Sequence, residues 1–591
     1  MSPNSATQIG QRRSLLFCLG LVSGLAFWLL AENSDNPDLP PALFLALLSF
    51  VGSYATLALA LSGPVSVTRA MVGALLLAVP FTALTFLAGQ RYVVATDVLD
   101  QPILVGLSLL FLLISTPFLI VTLQNRHAWN DYAELFEAAW ALTLRYLMAW
   151  IFVGLFWLMM FLSDALLSLV DLEIIEWIFD TEWLEFCLTG GVLGLAMAVV
   201  YELRTTVSPF LLLRLLRLFV VPVLAVITLF LAAIPLQGLS QVFGNLSAAV
   251  TLMSVAMVML TLIAVVLERD DARMRPSVTI ITSTRFLALL LPAVTGLAAW
   301  AIWVRVNDYG WTPDRVLAAL VSAVLLSYGL LYALSVLLQQ GWSSWIRRIN
   351  VVLALVTIAI SAAFLTPLLN AERLAANNQI ARYLDGRLQL SELPVWELEH
   401  DWGQAGRAAL ARLENGPDGQ DPDLIQRLAD MRNSSSKWGL DNEIRSRTDA
   451  EVEAELLDLL PVLPAGQTLA VGDLQGVARY KLKRWLSGCQ RLLADGRPGC
   501  VLVMDQFTPE TARSGVLLYR RGDKGRRIEI DSLIVDDTGE ASSKGAVMFN
   551  AGEGTPLKIS DLEAILDGDY SVGPSSLKAL HVGGIEILPQ P

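Results

Sequence analysis

The side chains best suited to chemistry lie outside the apolar runs of this chain. Glu32, Asp35 and Asp38 crowd into one acidic loop between Ala31 and Pro41. Carboxylates so spaced could hold a divalent metal or act as a general base, as in a membrane-embedded transferase using a lipid-linked donor. The stretch RVNDYGWTPDR at 305–315 gathers Arg305, Asp308, Asp314 and Arg315. Gly310 permits a turn there, and Pro313 suits the first turn of a following helix. The plain reading is a capped helix start with surface ion pairs worth about 0–1 kcal/mol each. The functional reading is the lip of a cavity on the outer side of a membrane. Cys489 and Cys500 flank SGCQRLLADGRPGC and would pair in an oxidising compartment, so a disulfide is expected. His400 and His581 lack ligand spacing, which argues against zinc. MDQFTPE and DSLIVDDTGE lack the spaced oxygens and Gly of a calcium loop. No P-loop is present. No metal and no cofactor is therefore expected.

These residues must be positioned by long apolar elements. The chain has 591 residues, 54% of them hydrophobic, with mean hydropathy +0.56. Eleven apolar runs lie near 14–31, 41–62, 68–89, 102–124, 141–163, 186–203, 210–235, 246–267, 284–304, 315–338 and 348–369. Each is long enough for a hydrocarbon core about 30 Å thick. A span in lipid must satisfy its own backbone, so helices follow. The expected fold is an α-helical polytopic membrane protein with about eleven transmembrane helices and a C-terminal α+β extramembrane domain. The expected divisions are 1–369 transmembrane, 370–460 helical and extramembrane, and 461–591 a small α+β domain.

Charge sets the orientation. Residues 1–369 hold 17 Arg and no Lys against 21 Asp and Glu; the remainder is more acidic still, and the whole carries −13. With the N-terminus in the cytoplasm, the inner side carries Arg12, Arg13, Arg69, Arg126, Arg145, Arg204, Arg214, Arg217, Arg269, Arg273, Arg275, Arg285, Arg347 and Arg348. The outer side carries only Arg91, Arg305 and Arg315. This is a strong positive-inside bias. Eleven spans then put the tail outside, which in a bacterium is the periplasm. The first run is read as an uncleaved span, because no small-residue cleavage site precedes Glu32–Asp38. Arg214 and Arg217 are read as snorkelling to headgroups. Cys18 and Cys187 are read as packing residues within spans. An acidic tail disfavours nucleic acid.

Two segments are amphipathic. HAWNDYAELFEAAW at 127–140 puts Trp129, Tyr132, Leu135, Phe136 and Trp140 on one helical face. It is expected to lie along the inner interface. Residues 164–185 mix seven acids with Leu, Ile and Trp and are expected to form an outer interfacial helix. In the tail, helices are expected at 371–389, 403–414, 424–432 and 451–460. Short β-branched runs after 466 are expected to form strands, among them QTLAVGDL, CVLVMDQF, SGVLLYRR and RIEIDSLIVDD.

NDYAELFEAAW with LFWLMMFL, then NDYGWTPDRV, then AANNQIARYLDGRLQLSELPVWELEHDWGQAGRAALARL form a set of stretches over roughly 15–415. Together they resemble a bacterial family of multi-spanning inner-membrane proteins catalogued only as a domain of unknown function. The resemblance implies an envelope membrane protein with an extramembrane C-terminal region. It implies no activity, substrate or catalytic residue.

Three functions fit the sequence. The spans carry almost no ionisable residue at mid-depth, which suits transport or sensing of a hydrophobic or lipid-like ligand better than ion coupling. The acidic loop at 32–38 suits the transferase reading. A scaffold could use its tail to bind a periplasmic protein.

Overall fold

The computed structural model describes residues 3–34, 36–169, 175–203, 209–237, 246–267, 277–338, 341–434, 436–467, 469–470, 472–474, 476–505, 507, 513–521, 527–535, 541–545, 557–573, 580–582 and 585–587. The chain forms two compact units, Met1–Gln426 and Arg427–Pro591. The helices of 371–426 belong to the first of these.

The first unit runs α1 (Pro3–Glu32), α2 (Pro41–Leu61), α3 (Val67–Gly89), α4 (Pro102–Gln124), α5 (Tyr132–Ser168), α6 (Glu176–Phe179), α7 (Glu182–Glu202), α8 (Pro209–Arg217), α9 (Val220–Gln237), α10 (Leu246–Val266), α11 (Val278–Tyr309), α12 (Pro313–Leu337), α13 (Trp342–Phe364), α14 (Ala371–Leu384) and α15 (Gly403–Glu414). Helix α16 (Pro422–Asn433) carries the boundary between units. Among the described residues, eleven helical stretches are long and apolar enough to cross a membrane. Their count and places follow the apolar runs.

Helix α1 lies along α7 through facing Gly-x-x-x-Gly motifs, Gly20 with Gly24 and Gly190 with Gly194. A Cβ on Gly20 would lie 1.9 Å from the Gly190 carbonyl oxygen, and one on Gly194 would lie 2.1 Å from that of Leu16. Small residues at this spacing let two backbones touch, which supplies the packing that lipid-exposed helices otherwise lack. Trp157 Nε1 of α5 donates to Thr189 Oγ1 of α7 at 3.1 Å. Helices α9 to α13 form a second packed group around Leu287, Leu291, Met259 and Tyr332.

Two expectations need correction. Residues 127–140 do not form a separate interfacial helix. Arg126–Ala128 is one short turn, and Tyr132 to Trp140 begin α5, which runs unbroken for 37 residues. No Gly or Pro occurs from Tyr132 to Val153, so nothing stops helix propagation there. Helix α5 is thus about 55 Å long. Nor is 164–185 one helix: α5 continues to Ser168, and α6 and α7 begin at Glu176 and Glu182. Its middle, 170–174, lies outside the described residues.

The second unit holds α17 (Lys437–Leu459), β1 (Val462–Leu463), α18 (Arg479–Cys489), β2 (Cys500–Asp505), β3 (Arg513–Arg521), β4 (Arg527–Val535), β5 (Ala541–Gly545), α19 (Ile559–Leu566), β6 (Leu580–Val582) and β7 (Ile585–Ile587). Strands β1 to β5 form one sheet in sequence order; β1 is parallel to β2 and the other pairs are antiparallel. Alternation sorts its side chains. Leu502, Leu517 and Tyr519 pack with Leu456 of α17 and Trp485 of α18. Val501, Leu518 and Ile528 pack with Leu562 of α19 on the other face. A disulfide joins Cys489, the last residue of α18, to Cys500, the first of β2. The expected strand at QTLAVGDL is absent from its described residues, which form turn or irregular backbone. The helix expected at 451–460 is longer, beginning at Lys437.

Candidate functional site

The apolar chamber

Helices α1 to α5 enclose a cavity of about 820 Å³. Its wall includes Phe27 of α1, Leu45 to Ala60 of α2, Phe81 and Thr85 of α3, Leu104 to Thr116 of α4, and Leu142 and Tyr146 of α5. Leu104 to Thr116 alone climbs about 18 Å along α4. Among the described residues lining it, none is Asp, Glu, Lys, Arg or His.

Most of its hydroxyls are already engaged. Ser53 donates to the Ser49 carbonyl at 2.7 Å, Ser108 to Leu104 at 2.7 Å, Thr116 to Leu112 at 2.6 Å and Thr143 to Ala139 at 2.9 Å. Tyr146 crosses to α2 and donates to the Thr56 carbonyl at 2.6 Å. Hydroxyls that bond back to a helix present their methyl and methylene surface outward. The wall is therefore apolar in effect as well as in composition. Leu109 and Leu113 of α4 and Thr143 of α5 line the chamber and are also exposed, so it opens sideways between helices.

A second cavity, about 780 Å³, shares Phe27, Thr56 and Tyr146 with the first. Its wall is aromatic, with Trp150, Trp157, Phe161, Phe179 and Phe186, and Glu185 is its one carboxylate among the described lining residues.

The charged end

A third cavity, about 400 Å³, shares Ala60 and Leu142 with the chamber and carries Gln124, Glu134, Glu137, Arg145 and Tyr201. Arg145 is the surprise. Expected as an inner-side charge, it lies inside α5 and is buried. Its Nη1 and Nη2 donate to the Ala60 and Leu59 carbonyls at 2.9 Å each, and its Nε to that of Met197 at 3.1 Å. Those α2 carbonyls belong to the last helical turn, where the helix leaves them unpaired and partly negative. Arg12 caps the same end, donating to the Ser62 and Gly63 carbonyls. Both guanidinium groups lie over the Tyr201 ring, at 4.6 Å for Arg12 and 5.4 Å for Arg145. The available signal was an Arg four residues inside an apolar run.

The opposite end

The turn after α3 buries Arg91. Its Nη1 donates to Glu372 Oε2 at 3.3 Å, and its Nη2 to the carbonyls of Phe364 at 2.6 Å, Thr366, and Leu369 at 3.2 Å. Tyr92 donates to Glu372 Oε1 at 3.1 Å. Burial, together with the Glu372 charge and its hydrogen bond, pushes the Tyr92 phenol up, so it stays protonated as a donor. Gln404 of α15 donates to both the Arg91 and Tyr92 carbonyls, at 2.8 and 3.0 Å. Val98 and Leu99, a few residues on, line the chamber.

Helix α14 also clasps the loop after α11. Arg382 donates to the Asn307 and Asp308 carbonyls, Gln379 to those of Tyr309 and Trp311, and Asn378 accepts from the Trp311 amide. Gly310 has φ 75°, and a Cβ there would meet Arg382, Asn378 and Gln379 within 2.8 Å. Only glycine fits.

The sequence candidates are placed as follows. Arg305 and Arg315 both lie over the Tyr309 ring, at 5.5 and 5.6 Å, and Arg315 donates to the Tyr309 and Gly310 carbonyls. Thr312 caps α12 as the turn chemistry predicts, with Pro313 at its start. Asp308 and Asp314 are exposed. Glu32 and Asp38 are exposed, and among the described residues no hydrogen bond or ion pair ties them to the 305–315 group. Asp35 lies outside the described residues. None of the six that are described lines the chamber. Arg217 donates to the Val265 carbonyl at 3.2 Å, and Arg214 is exposed. Among the described residues, no group of three or more His, Cys, Asp or Glu could hold a metal.

Comparison with known protein families, with curated proteins and with solved structures gives no match to this chain.

Proposed function

We propose that this chain is a multi-pass bacterial inner-membrane protein whose chamber takes up a hydrophobic or lipid-like ligand, for transport or for sensing. One observation carries the reading: a cavity of about 820 Å³ with a sideways opening and no charged lining residue among those described. A cavity of this size suits a small organic ligand, and its uncharged described lining suits an apolar ligand better than an ion. The Arg distribution supports a cytoplasmic N-terminus and a periplasmic tail. The Cys489–Cys500 disulfide accords with an oxidising compartment for the tail. Membership of the family the sequence resembles belongs to the same proposal. The transferase reading has less behind it, because Glu32 and Asp38 stand exposed and apart from the cavity.

The test is a photoreactive residue placed at Leu112, inside the chamber, in living cells. Mass spectrometry of the adduct is expected to find a lipid. Ser49→Phe, which narrows the chamber, is expected to lower that adduct. A probe at Leu330, an exposed position on α12, reports bulk lipid and should not respond. An adduct at Leu112 indifferent to Ser49→Phe would overturn the reading.

A further inference from the structure

We infer that the ligand is a phospholipid with a zwitterionic, amine-bearing headgroup of the phosphoethanolamine kind, its head in the charged cavity and its chains in the chamber. This rests on the lipid reading of the chamber. The two cavities share the wall residues Ala60 and Leu142, so head and chain sites adjoin there. Helix α5 supplies the link. Glu134, Glu137, Ala138, Ala141 and Arg145 line the charged cavity at positions i, i+3, i+4, i+7 and i+11, which is one helical face. Leu142 and Tyr146 carry the neighbouring face into the chamber.

The charges select the head. Among the described residues Arg145 is held by three backbone carbonyls and by no carboxylate, so no described acid cancels its positive charge. Those bonds use three of a guanidinium's five N–H groups. A phosphate is the natural partner for such a group. Two carboxylates in the same cavity would repel a lipid of net negative charge but would accept hydrogen bonds from an ammonium. A quaternary choline has no N–H to give. An acyl chain with a phosphate and a primary ammonium satisfies all three features at once.

The experiment uses the full chain, reconstituted in vesicles of equal parts phosphatidylethanolamine, phosphatidylglycerol and phosphatidylcholine. The protein is extracted, and native mass spectrometry counts the lipids it keeps. The expected result is phosphatidylethanolamine enriched about fivefold over each competitor, the upper range for an exposed ion pair. Glu134→Gln with Glu137→Gln should bring the ratio to parity without lowering the total lipid kept. Both glutamates are exposed, so the fold should survive, and the wild-type ratio is informative alone. Retention without headgroup preference, or a preference that the glutamine variants leave intact, overturns the headgroup assignment while leaving the chamber reading standing. No lipid of any class retained, by wild type or variant, overturns both.

Discussion

Arg91 and Glu372 form a buried ion pair across 281 residues of chain, at 3.3 Å, with side chains 6% and 8% exposed. It fastens α14 to the turn beside the chamber. Arg91 also gathers carbonyls at the end of α13, so one guanidinium ties three elements together.

Removing one partner strands the other. Glu372→Ala is expected to weaken α14 docking by about 3–5 kcal/mol, because the Arg91 charge is then buried without its counter-ion. Hydrogen exchange across 371–384 should rise sharply. Arg91→Met with Glu372→Leu should recover much of the loss. Unchanged exchange in Glu372→Ala would contradict the pair's role.

The α1–α7 contact should be the least tolerant in the bundle. Gly20→Leu or Gly190→Leu forces backbones apart where no Cβ fits, at a cost of about 1–3 kcal/mol or more. Gly154→Ala, with nothing within 4 Å, should be neutral or raise stability by up to about 1 kcal/mol. Thermal unfolding in one detergent compares all three.

The disulfide closes a short loop, with a sequence separation of 11. Chain entropy alone makes that worth about 3 kcal/mol to the second unit. Cys489→Ser with Cys500→Ser should raise hydrogen exchange in β2 and β3, which pack on Trp485 of α18 through Leu502 and Tyr519. Exchange in α4 and α5 should not change.

Glu529 gives the second unit an acid-side dependence. Burial pushes its carboxyl up, but hydrogen bonds from Arg521 and Tyr519 and the Arg521 charge outweigh this, leaving it below its ordinary 4.5. A carboxylate lowered by folding adds stability that is fully present above 4.5 and is lost as pH falls through the folded value. Because the pair is partly exposed, the effect is well under about 1 kcal/mol. Glu529→Gln should flatten that slope in β3 and β4 exchange by removing the small contribution present above pH 4.5, with little change from wild type at lower pH.

The spans, their number and the sheet of the tail were readable because each depends on local properties. A run of apolar residues must become a helix in lipid whatever surrounds it. Alternation with β-branched residues marks a strand whatever it pairs with. Even the α1–α7 contact left a trace, since Gly20-x-x-x-Gly24 and Gly190-x-x-x-Gly194 stand in the sequence. The turn at Thr312 and Pro313 was legible for the same reason. The chamber was not. Helices apolar all round show no favoured face, so nothing in the order of α2 or α4 residues tells which side leaves a void. Arg145 read only as an inner-side charge because its partners are carbonyls of Leu59, Ala60 and Met197, and carbonyls occur at every residue. Arg91 read as a surface residue because Glu372 lies beyond eight further membrane-length stretches. Sequence by itself settled what each segment must become in its solvent. Only the tertiary structure decided which buried charges meet and where the bundle stays hollow, because packing between helices depends on pairs that linear order does not encode.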